Sequence, residues 1–183
     1  VMSTLVLAEG FETRGRFLPS LAEGLSLICK EPTWVLPAHR DSLRDGAPDE
    51  PIDIFAAETG NALAWVLYVF QNALPASAPE VVQRVRSEVR RRIIEPYLSR
   101  TDFWWMGFDG GDVNNWTTWC TSNCLGTILL EERDPERRLQ GVKKACDSLS
   151  RFLERQGDDG GCDEGPMYWN FAGACLFDCL EML

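Results

Sequence analysis

Two short segments hold most of the residues able to do chemistry: Asn114-Asn115-Trp116-Thr117-Thr118-Trp119-Cys120 and Asp159-Gly160-Gly161-Cys162-Asp163-Glu164-Gly165-Pro166-Met167-Tyr168-Trp169. Each gathers amide, carboxylate or phenol groups with aromatic rings where a helical pattern begins. The first turn of a helix has unpaired backbone N–H groups, so side chains there can face a ligand instead of the core. One intervening helix separates the two segments. Both entrances should therefore lie at one end of a helical array, as opposite walls of a single site. Asn115, Tyr168 and His39, the single histidine, are the candidate catalytic residues. Asn114, Trp34, Trp104, Trp105, Trp116, Glu164 and Arg40 are the candidate substrate-binding residues.

Each of these has a plain structural use as well. Asn115 before a helical run is a good N-cap, and Glu164 is an acidic residue of the kind favoured at a helix start. Asp53 and Glu58 read as one cap and one buried, hydrogen-bonded carboxylate. Tyr168 could be a core aromatic, and His39 a structural residue of a proline-flanked loop. Tryptophans can simply cover the core between helix ends. As a group, Trp34, Trp104, Trp105, Trp116, Trp119, Tyr168 and Trp169 fall in or beside loops, and flat rings of that kind stack on sugars.

The elements that must position these residues are helices almost throughout. Apolar residues recur at helical spacing over residues 13–30, 53–74, 81–96, 116–132 and 135–156, and from Pro166 onward. No useful strand alternation occurs. Nearly uncharged segments alternate with amphipathic ones, which predicts inner helices backed by outer ones. The expected fold is all-α: antiparallel helical hairpins forming an incomplete α/α toroid, with residues 1–183 as part of that single domain. The connections 75–79 and 133–135 are short, whereas 31–51, 100–114 and 157–165 are long. If successive helices are antiparallel, the three long loops share one face, where function concentrates.

Composition narrows the function. A net charge of −10 argues against nucleic acid, which needs clustered Lys and Arg. The cluster Arg84, Arg86, Arg90, Arg91 and Arg92 is interrupted by Glu88 and Glu95, so it reads as a solvated outer face. No run is apolar enough to span a membrane, and no membrane partner is expected. Seven cysteines match no zinc spacing. They are expected to be reduced, mostly buried and metal-free, and no cofactor is expected. Unpaired thiols place the chain in the cytoplasm; a periplasmic or secreted location is the alternative should a leader precede it. Both ends look abrupt, which reads as a piece of a longer protein.

The stretch from Trp34 to Leu183 resembles the α/α-toroid domain of heparinase II/III-like polysaccharide lyases. The resemblance rests on Pro32-Thr33-Trp34 with His39, on Ile52-Asp53-Ile54-Phe55-Ala56-Ala57-Glu58, on Asn114-Asn115-Trp116, and on Asp159-Gly160 leading to Glu164, Pro166 and Tyr168. It implies further helices and a β-sandwich domain downstream, and an acidic polysaccharide or oligosaccharide as substrate. It also implies β-elimination: the uronate carboxylate is neutralised, a base removes the C5 proton, and an acid protonates the leaving oxygen. Asn115 matches the family's carboxylate-binding Asn and Tyr168 its proton-transferring Tyr. Trp116 stands where the family has His. Either His39 supplies that function, or Tyr168 is both base and acid, or the chemistry differs. A tyrosine base needs nearby positive charge to lower its ordinary pKa of ~10, and Arg40 and Arg44 are the nearest candidates by loop placement. The alternatives are a glycoside hydrolase using Asp163 or Glu164 and a non-catalytic carbohydrate-binding domain. The oligomeric state is open.

Overall fold

A computed structural model describes residues 2–40, 51–162 and 164–183. The helices are α1 (Met2–Glu12), α2 (Leu18–Lys30), the short α3 (Pro37–Arg40), α4 (Ile54–Val69), α5 (Ala73–Ser77) and α6 (Pro79–Val89). A π turn at Arg90–Ile94 joins α6 to α7 (Glu95–Ser99). After a 3₁₀ turn at Trp104–Met106 come α8 (Asn115–Glu131), α9 (Pro135–Glu154) and α10 (Pro166–Trp169). A second π turn, Asn170–Ala174, leads into α11 (Cys175–Met182). Among the described residues there is no strand. No described helix is long and apolar enough to cross a membrane.

Contacts sort these helices into two layers. Glu58 and Asn61 of α4 bond to Trp119 and Asn123 of α8. Thr118 of α8 bonds to the Phe171 carbonyl, and Leu125 packs with Cys179. Residue numbers rise together across both contacts, so α4, α8 and the run 166–182 point the same way. Behind them the run 79–99 lies beside α9: Arg137 reaches Glu95, and Lys144 donates to the carbonyls of Tyr97, Leu98 and Arg100 at 2.8, 3.1 and 2.7 Å. That lysine caps the last turn of α7; burial lowers its pKa. The layers approach closely where side chains vanish. A Cβ on Gly60 would meet Ile93 at 2.5 Å, and one on Gly141 would meet Ile128 at 2.6 Å. One continuous core runs through Leu21, Leu25, Leu63, Val85, Ile93 and Ile128, each side chain worth ~1.5–3 kcal/mol of burial.

Several expected boundaries shift for local reasons. Residues Met2–Glu12 form a helix of their own, and buried Glu9 accepts the Gly15 and Phe17 N–H groups at 2.6 and 2.8 Å to tie the α1–α2 turn. Helix α4 ends at Val69, and Pro75, expected in a loop, sits in α5. The helix expected to stop near Pro96 continues to Ser99. Proline cannot continue an ordinary i→i−4 ladder; here the Glu95 N–H bonds back to Arg90, the wider π register, just before it. Arg92 departs from its neighbours: it is buried, its guanidinium 4.8 Å over the Trp34 ring and bonded to Glu88 and the Glu31 carbonyl.

All seven thiols are free of disulfides. Cys29, Cys120, Cys124 and Cys179 are buried, Cys162 and Cys175 are half-buried, and Cys146 is exposed. Burial pushes the Cys120 and Cys124 thiols well up, and that of Cys179 to about 12.

Candidate functional site

The entrance to α4 is organised by Asp53. Its carboxylate is fully buried and caps the helix, accepting the Ala56 N–H at 2.7 Å. The other oxygen accepts the Leu36 N–H at 3.1 Å and His39 Nδ1 at 2.7 Å. A carboxylate acceptor puts the imidazole proton on Nδ1, fixing tautomer and ring orientation together. The ring lies 4.7 Å from Trp116 and 5.8 Å from Phe55, centroid to centroid. Asp53 is thus more than the cap its sequence position suggests; it ties the segment Leu36–His39 to α4 and aims His39 at the start of α8.

At that start the roles of the two asparagines differ from expectation. Asn114, not Asn115, is the N-cap, accepting the Trp116 N–H at 2.9 Å. Asn115 is the first helical residue and only 3% exposed. Its backbone N–H (3.2 Å) and its side-chain amide both donate to one oxygen of Glu164, clasping loop 157–165 to α8. One turn on, Trp119 stacks on Phe171 at 4.1 Å and 7°, while its indole N–H donates to Glu58 at 2.7 Å. Tyr168 is 42% exposed, with its ring 6.3 Å from Phe171. Asn115 and Tyr168 therefore stand at the same end of the array, together with His39 and Trp116.

Two expected groove residues are withdrawn into packing. Trp34 is buried, donates its indole N–H to the Ile28 carbonyl at 3.1 Å and supports Arg92. Trp105 is also buried, bonded to the Ile52 carbonyl at 2.8 Å and stacked with Phe103 and Tyr97. Both are the core-covering tryptophans that an indole with a satisfied N–H makes. Trp104 and Trp116 remain half-buried with rings 5.2 Å apart. Arg44, Asp163 and the Arg40 side chain lie outside the described residues. Asp53 and Phe171 are the residues that the sequence reading underrated. Phe171, three positions after Tyr168, carries the helical spacing that would have flagged it.

Space around these groups is unevenly distributed. The cavity at Asn114, Asn115, Cys162 and Glu164 is about 30 Å³, room for one water, so a sugar must sit outside the clasp or open it. A groove of about 540 Å³ runs below, between α4, α8 and the final helices. Another of about 570 Å³ lies on the outside of α9 at Leu139, Lys143 and Arg151, away from the candidate residues. Among the described residues, no group of three His, Cys, Asp or Glu side chains could hold a metal ion. No protein-family model and no curated protein matches the chain.

Proposed function

We propose that this chain is part of an incomplete α/α toroid of the heparinase II/III-like kind, acting on uronic-acid-containing polysaccharide or oligosaccharide by β-elimination. The observation that carries this reading is the meeting of Asn115, Glu164, the His39–Asp53 pair and exposed Tyr168 at one end of co-directional helices. The alternation of inner and outer helices supports the toroid. In the proposed reaction the Asn115 amide turns from Glu164 to the sugar carboxylate, drawing charge from C5 as the proton leaves. Tyr168, or His39 held by Asp53, takes the C5 proton. The C4–O bond breaks, a C4=C5 double bond forms, and the leaving oxygen receives a proton from the same pair of groups. Trp116, where the family has His, joins Trp104 as a platform for the sugar ring.

The test is incubation with polygalacturonate, alginate and heparan chains, following both unsaturated-uronate absorbance and reducing ends. Absorbance rising with reducing ends supports elimination. Reducing ends without absorbance would indicate hydrolysis by Asp163 or Glu164, and binding without either would indicate a carbohydrate-binding domain.

A further inference from the structure

We infer that the groove between α4, α8 and the final helices is a separate binding site for an uncharged saccharide. Its volume, about 540 Å³, falls within the ~300–1,000 Å³ of small-ligand sites. Two indoles line it. Trp65 is 47% exposed and held edge-on by Tyr68 at 5.7 Å; Trp119 is fixed by its bond to Glu58 and its stack on Phe171. The Trp119 ring, held in place before a ligand arrives, loses little entropy on contact, and Trp65 adds a second flat apolar face. Between them Asn61 donates to Asn123 at 3.0 Å, and Asn123 to the Trp119 carbonyl at 2.9 Å, a ladder that sets both amides.

The charge of the walls decides the ligand class. Glu58, Asp178 and Glu181 line the groove, and none of its described lining residues is basic. Carboxylates and amides accept and donate hydrogen bonds to sugar hydroxyls, whereas a uronate or sulfate here would meet only like charge. The site is therefore distinct in chemistry from the Asn115 end, and it stands whether or not β-elimination occurs there.

The experiment is saturation-transfer NMR and tryptophan-fluorescence titration of the intact chain with cellotriose, N-acetylchitotriose and trigalacturonate. At least one neutral trisaccharide should bind saturably at about millimolar strength or better. Trp65→Ala should weaken it about tenfold or more, and Asp178→Asn measurably. Both positions are exposed, and melting curves check that the variants fold. Asn115→Ala should leave this titration unchanged, which separates the groove from the proposed lyase site. Absence of saturable binding by either neutral sugar, undiminished binding in Trp65→Ala, or binding of trigalacturonate lost with Trp65 would each overturn the assignment.

Discussion

At its C-terminal end α8 runs into a set of arginines; at its N-terminal end it meets amides, rings and the carboxylate of Glu164. Glu132, just past the last turn, is 2% exposed. It accepts Arg90 at 3.2 Å, Arg137 at 2.9 Å, and the backbone N–H groups of Arg133 and Asp134 at 2.8 and 3.0 Å. Arg138 covers its carbonyl. Burial opposes its charge, but the bonds from Arg137, the Asp134 backbone and Arg90 hold the carboxyl at about 2. Asn115, at the other end, is also buried, yet its amide has one acceptor, and an exposed phenol and half-buried indoles stand nearby. A saturated polar network has no capacity left for a ligand; a sparsely paired one does. Richness in charge therefore marks structure at one end, and sparse pairing is what recommends the other as the proposed site.

Removing the Tyr168 hydroxyl tests the sparse end most severely. Tyr168→Phe should lower turnover of a uronate polymer ~10²–10⁴-fold with no measurable change in melting temperature. Retention of full turnover would take Tyr168 out of the mechanism.

The saturated end should respond in stability alone. Glu132→Gln removes a buried charged acceptor shared by the partly exposed Arg90 and Arg137 and should cost about 1–3 kcal/mol in urea unfolding, with binding unchanged in the folded fraction. Linkage gives the pH sign. The folded carboxyl, at about 2 against an ordinary 4.5, contributes stability that is complete above 4.5 and lost as pH falls towards 2. The variant should lose that slope. Neighbouring Glu131 acts in the opposite sense: burial, outweighing Arg86, raises its pKa, so its ionisation withdraws stability as pH rises through the ordinary carboxylate range.

The smallest effects separate the adjacent asparagines. Asn114→Ala removes a cap and should cost about 1 kcal/mol while sparing ligand binding. Asn115→Ala should cost a similar amount of stability but also depress turnover. Equal turnover in the two variants would reduce Asn115 to a structural clasp.

The helices were legible because a 3.6-residue apolar period is strong in the outer helices α6 and α9, and because α4, apolar on nearly every side, is too long for a strand; the long loops share an end as far as their described residues go. Boundaries were less so: Pro96 reads as a stop, and only the backbone register shows how the chain passes it. Asn115 and Tyr168 could be singled out by type and position, but the Asn115–Glu164 clasp spans 49 residues and leaves no local trace. Trp34 and Trp105 look no different in sequence from Trp104 and Trp116. What separates them is whether a carbonyl lies within reach of the indole N–H, a tertiary fact.

The shared direction of α4, α8 and the run 166–182 has an electrical consequence. Each aligned stack of peptide dipoles places about half a positive charge at its N-terminal end, and all three ends lie together. Two of those ends are already taken: the carboxylate of Asp53 sits on that of α4 and the carboxylate of Glu164 on that of α8. In a chain of net charge −10 the aligned dipoles thus help hold two acidic side chains at one end of the array, and protonating either carboxylate should loosen that end.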